Sequence, residues 1–206
     1  MTLTLHYHPL SSFCWKALIG LYEADVPFTP HLVDLSDAAA RAAFAALWPL
    51  AKFPVLRDDA AGLTLPESSI LLEYAAPRLI PRDPAAALAC RLRDRLYDHY
   101  IHAPMQAIVG DRLRPPGARD PHGVAAARAR IATAYAEAEP HAATAGRGEL
   151  TLADCAAFPA LHYASALVPL AGHPQLAAYL DRLRARPSVA RVLREAEPYL
   201  HLVPTA

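Results

Sequence analysis

What most constrains this chain is the point at which its strand-like alternation stops. Apolar residues with a two-residue period occur only in the first third: Leu3, Leu5 and Tyr7 alternate with Thr4, His6 and His8 along Met1 to Tyr7. Phe28 to Leu35, Pro54 to Arg57 and Leu63 to Leu65 read as three more short strands. Between them the spacing is helical. Pro9 ends the first strand, and Ser11 and Ser12 offer caps for a helix over Phe13 to Ala24 with Cys14, Leu18 and Leu21 on one face. Ser36 or Asp37 caps an alanine-rich helix that stops before Pro49, and Pro66 opens a helix through Arg78.

The order β-α-β-α-β-β-α, a parallel unit followed by a hairpin and a closing helix, is the thioredoxin-like arrangement. Leu79 to Pro84, with Pro81, Asp83 and Pro84, reads as a linker. Everything beyond it is helical: Ala85 to Leu113, a Pro- and Gly-rich loop from Arg114 to Gly123, then Val124 to Thr144 with a bend or stop at Pro140. Leu152 to Leu167, Gln175 to Ala185 and Ser188 to Ala196 follow. The expected architecture is an α/β thioredoxin-like domain over residues 1–79 joined to an all-α domain over residues 85–206.

Composition narrows the function. The 206 residues carry 20 basic and 20 acidic side chains, a net charge of zero, with 54% hydrophobic and 19% charged residues. That balance excludes global disorder and argues against a nucleic-acid binder, which would show a basic excess. Cys14, Cys90 and Cys155 are too few and too scattered for a disulfide framework or a zinc site, so a reducing cytoplasm is the simplest compartment. The N-terminus lacks the basic start and apolar stretch of a signal peptide. The most apolar tract, Leu152 to Gly172, is interrupted by Asp154, Pro159, His162 and Pro169, which makes it a core helix and not a membrane span. His99 and His102, three apart beside Asp98, have no further ligand set at recognisable spacing. They read as a solvated or interface-facing pair, and no metal is expected.

Four short segments have chemical potential. Ser11-Ser12-Phe13-Cys14 sits between a strand and a helix, where free N–H groups and a hydroxyl can hold a thiolate; a plain serine cap over a buried Cys14 is the alternative. Lys52-Phe53-Pro54 precedes the third strand, where a cis-proline would turn the preceding backbone toward an extended ligand and a trans-proline would be simple punctuation. Pro66-Glu67-Ser68-Ser69 is ordinary helix-start chemistry, or a clamp in which Glu67 takes an ammonium while Ser68 and the helix N–H groups take a carboxylate. Thr151 and Asp154 form a capping box flanked by Leu150 and Cys155, whose role is folding.

The order of these segments resembles that of the cytosolic glutathione S-transferase superfamily along essentially the whole chain. Ser11-Ser12-Phe13-Cys14-Trp15-Lys16 is similar to the Ser-Ser-Cys-Ser-Trp-Arg that starts the first helix of the zeta class, and a bacterial, serine-type branch is the nearest group. The resemblance implies that Ser11 is the catalytic serine, stabilising the thiolate of glutathione as co-substrate, with Ser12 and Phe13 beside it. It implies that Phe53, before cis-Pro54, pairs its backbone with the cysteinyl part of glutathione. Glu67 and Ser68 then hold the γ-glutamyl end, and Lys52 reaches the glycyl carboxylate. It further implies a cytoplasmic homodimer with a detoxifying role, acting on a small hydrophobic electrophile held between the domains against the long helix. Tyr100, Met105, Ile108 and Arg112 are candidates for that wall, with core packing the favoured role for most of them.

Zeta relatives carry Cys where this chain has Phe13 and commonly Gln where it has Lys52, so a general transferase is implied ahead of the zeta isomerisation of maleylacetoacetate. The stretch Thr144 to Glu149 is also shorter and less apolar than usual, which predicts looser packing there. Two other readings compete: a glutathione- or partner-binding protein without turnover, and a thiol reductase using Cys14, which its place inside the first helical turn opposes.

Overall fold

A computed structural model describes residues 2–202. Met1, which the alternation includes in the first strand, lies outside the described residues, as does the end of the second expected domain at residue 206. Among the described residues, four strands form one sheet in the order β2-β1-β3-β4: β1 Leu3–Tyr7, β2 Thr29–Leu32, β3 Val55–Asp58 and β4 Leu63–Pro66. β1 runs parallel to β2 and antiparallel to β3, with His6 opposite Val55, and β3 pairs with β4 so that Val55 lies opposite Pro66. β2 is shorter than its pattern predicts. Its four residues are exposed, and Pro30 lacks the N–H that a central strand needs, so it serves as an edge.

The two faces of the sheet are covered differently. Leu3, Leu5 and Leu56 pack under α1 (Ser12–Glu23) and α3 (Ser68–Ala75), whereas Val33 and Val55 meet Phe44 of α2 (Ala38–Leu47) on the other side. α1 is buried nearly all round, from Cys14 to Leu21, because it lies between the sheet and the helical half. Gly20 is what lets α3 come so close: a Cβ there would lie 2.5 Å from a methyl of Leu72. α3 starts two residues later than Pro66 suggests, since Pro66 closes β4, and it ends at Ala75 ahead of Pro77.

From Pro84 onward the chain is helical. α4 (Pro84–Leu96) and α5 (Ala103–Arg112) are one long helix joined through a π-helical turn, Tyr97–His102. The turn has an identifiable cause: Pro104 has no N–H for the ladder, and the Ala103 N–H reaches back five residues to the Asp98 carbonyl. α6 (Pro121–Ala142) begins earlier than expected, capped by Asp120, and runs through Pro140 without stopping. α7 (Leu152–Ser165) is buried on every side from Leu152 to Leu161, as its apolar composition predicts; α8 (Pro174–Arg184), α9 (Pro187–Ala196) and a 3-10 stretch, Glu197–Leu202, follow. Among the described residues, no helix is long and apolar enough to cross a membrane.

Trp15 joins the two halves, with its ring 4.8 Å from Tyr163 and 6.2 Å from Phe158, both on α7. The predicted capping box is formed: the Thr151 N–H donates to Asp154 Oδ2 at 2.8 Å. The sparse segment 144–149 is held by Arg182, which donates to the carbonyls of Ala142 and Ala145, and a cleft of about 290 Å³ opens beside it.

Candidate functional site

Strand register brings the candidate segments together. β1 ends beside the start of β3, and β3 starts beside the end of β4. The turn after β1, the residues before β3 and the residues after β4 therefore share one edge of the sheet. Ser11, Phe53-Pro54 and Glu67-Ser68 occupy those three positions.

Each is shaped by its local chain. The turn after β1 is closed by the Ser11 N–H to the His8 carbonyl at 3.0 Å, and Ser11 then caps α1, its Oγ accepting the Cys14 N–H at 3.4 Å. Ser11 is half-buried, with its own hydroxyl proton left for a further partner. The Phe53–Pro54 peptide is cis. Phe53 is half-buried, its ring 4.6 Å from Phe44, and its backbone lies outside the β3 ladder; Lys52 beside it is exposed. Glu67 has φ 73°, a left-handed conformation rare for a residue with a side chain, and it gives α3 no side-chain cap. Exposed Glu67 and the uncapped N–H groups of α3 thus lie together at this sheet edge, with Ser68 buried next to them.

Comparison with known proteins fits this arrangement. Residues 5–78 match the family model for the glutathione S-transferase N-terminal domain, and residues 121–182 that for the glutathione S-transferase C-terminal domain. The chain belongs to the glutathione S-transferase superfamily. A glutathione S-transferase from Methylobacillus flagellatus KT with glutathione bound shares the fold: 24% identity, 93% of this chain and 98% of that one covered, TM-score 0.83. The enzyme from Methylobacterium radiotolerans JCM 2831, in complex with glutathione sulfonate, is 28% identical over 100% of this chain and 96% of its own (TM-score 0.78). A glutathione transferase family member from Pseudomonas fluorescens Pf-5 with bound glutathione is also 28% identical, covering 93% and 98% (TM-score 0.80). No match to a curated protein was found.

Within this transferase fold, several expectations need correction. Met105 and Ile108 are buried in the core, the packing role favoured for most of the four wall candidates, whereas Tyr100 is exposed in a groove between α4 and α6. His99 and His102 do not share a surface: His99 is exposed while His102 is 1% exposed. The π-helical turn between them breaks the regular three-residue spacing. His102 instead meets α1, its Nε2 hydrogen-bonded to Ser12 Oγ, and the Phe13 ring stacks on it at 3.9 Å. Sequence reasoning missed this contact; Pro104, two residues on, was the available signal.

Cys14 is fully buried, and burial pushes its thiol up to about 12 although the Ser11 hydroxyl opposes the shift. A thiol protonated at neutral pH and out of contact with solvent is a poor nucleophile, which removes the basis for a Cys14 reductase. Lys16 has a role that its place in the sequence does not signal. It lies fully buried between α1, α3 and α4, with its Nζ 2.5 Å from Asp94, 2.6 Å from Asp98 and 2.7 Å from the Ser69 hydroxyl. That network anchors the start of α3, one residue after Ser68.

Proposed function

We propose that this protein is a glutathione transferase that activates the thiol of glutathione for attack on a small hydrophobic electrophile. The observation that carries the reading is the meeting of Ser11, Phe53 and Glu67-Ser68 at one sheet edge, in a fold whose relatives from Methylobacterium radiotolerans and Pseudomonas fluorescens hold glutathione sulfonate and glutathione. Glu67 takes the γ-glutamyl ammonium, and Ser68 with the uncapped N–H groups of α3 takes its carboxylate. The Phe53 backbone pairs with the cysteinyl unit, and Lys52 reaches the glycyl carboxylate.

Ser11 donates its hydroxyl proton to the sulfur, with Ser12 and Phe13 beside it. A free thiol titrates near pH ~8.5, and lowering that by one unit takes about 1.4 kcal/mol of preferential thiolate stabilisation. One hydrogen bond to a charged acceptor together with a helix N-terminus is of that size.

Ser11→Ala tests the mechanism. It should lower kcat/KM for conjugation of chlorodinitrobenzene about tenfold or more while glutathione still binds by calorimetry; a rate equal to wild type removes Ser11 from the mechanism. A glutathione-binding protein without turnover is the second reading. Glutathione binding with no conjugation, isomerase or peroxidase activity across a broad panel would select it.

The same reading includes a homodimer. Leu88, Leu92 and Tyr100 are exposed at four- and eight-residue spacing along α4 and its π-helical turn, Ile70 is exposed on α3, and an apolar groove of about 480 Å³ lies between Tyr100 and α6. Mass measurement in solution should return twice the chain mass. The three cysteines, all free thiols, suit a cytoplasmic location.

A further inference from the structure

Ser12, the first residue of α1, is 6% exposed and hydrogen-bonded to a histidine ninety residues later in the chain. The imidazole is held rigidly: Phe13 stacks on one face with an interplanar angle of 24°, and the π-helical turn sets its direction. We propose that His102 is a positioning residue that donates its Nε2–H to Ser12 Oγ and so aims the Ser12 hydroxyl proton at the glutathione sulfur, making Ser12 a second thiolate donor beside Ser11. This inference rests on the glutathione reading of the site.

Two observations place the proton. Nδ1 of His102 is buried with no hydrogen-bond partner, so a proton there would be an orphaned donor, while a lone pair is cheaper to leave unmet. Burial, and next the positive charge of Lys16, push the imidazole down to about 3, so the ring is neutral and holds one proton. That proton belongs on Nε2, facing Ser12. Once Ser12 Oγ accepts it, the only proton of the serine is its own, and this points away from the histidine. Without His102 the hydroxyl is free to rotate and is not held toward the sulfur.

The thiol of bound glutathione reports on this directly, through the ultraviolet absorbance of its thiolate titrated against pH. Ser12→Ala and His102→Phe should each raise the thiol pKa by about one unit, a tenfold loss of thiolate near neutrality. The double variant should go no further, because both act through one hydroxyl. His102→Gln, whose amide N–H can donate to Ser12, should stay near wild type. A packing role alone would lower stability without this pattern. If the Phe variant does not fold, the other two decide: Ser12→Ala must raise the thiol pKa and His102→Gln must not.

Shifts that add in the double variant, or a thiol pKa indifferent to His102→Phe, overturn the inference while leaving the function intact. A wild-type chain that binds no glutathione overturns both.

Discussion

At the scale of one residue, Glu67 carries a backbone strain that the proposed site would explain. Its φ of 73° is a conformation that glycine adopts freely and that costs a residue with a side chain about 1–3 kcal/mol. Glu67→Gly is therefore expected to raise the melting temperature and, if the carboxylate holds the γ-glutamyl ammonium as proposed, to lose glutathione affinity in calorimetry. A variant that gains stability and binds as before would show that the carboxylate is not a ligand. Lys16 is a different case. Its charge is fully buried, and it persists because Asp94, Asp98 and Ser69 surround it, with Arg95 pairing with the same two carboxylates from a partly exposed position. It is one of only two lysines in the chain, yet nothing in its neighbours' spacing reveals that it is the buried one.

At the scale of elements, helix ends were readable where a side chain makes them. Ser11 and Asp37 cap their helices as the sequence suggests, each accepting a backbone N–H, whereas Asp83 and Asp120 cap α4 and α6 from positions that read as linker and loop. The Thr151–Asp154 box extends further than capping, since Asp154 Oδ1 also accepts the Tyr179 hydroxyl at 2.5 Å. Asp154→Ala removes the cap and leaves a buried hydroxyl unmet, so urea unfolding should show a loss of about 2–4 kcal/mol. Elements defined by pairing were harder to read. Pro66 looks like a helix start because proline favours that position, but β3 claims it as the last residue of β4. The long helix was seen as continuous, while its π-helical turn, which carries His102 inward, depends on how Pro104 disturbs the ladder.

At the scale of the whole molecule, the two halves are joined by buried polar contacts as well as apolar ones. Ser12 meets His102, Lys16 meets Asp94 and Asp98, and Glu23 at the end of α1 pairs with Arg186 and accepts the Ser188 hydroxyl at 2.7 Å. Three histidines make stability sensitive to acid. His102 is pushed down to about 3, and His141 and His162 to about 4, in each case mainly by burial. In the unfolded chain a histidine takes up a proton near pH ~6.5. Below that value the unfolded state binds protons that the native state refuses, so stability falls with pH until the native values are reached. For His102 alone the loss between about pH 7.5 and about pH 5.5 is about 1.4 kcal/mol. Melting temperature measured against pH should decline below about 6.5, and less steeply in His102→Phe.

By itself the sequence determined the β-to-helix division, the element order, most caps and the identity of the residues at the sheet edge. These are local properties, set by periodicity, proline and short capping side chains. Only the tertiary structure decided which of those residues face one another, that Phe13 lies on a histidine, that Met105 and Ile108 belong to the core, and that Lys16 and His102 are buried. Those facts depend on contacts between segments up to ninety residues apart, and on a proline that rotates one helix just enough to send a histidine into the interface instead of into water.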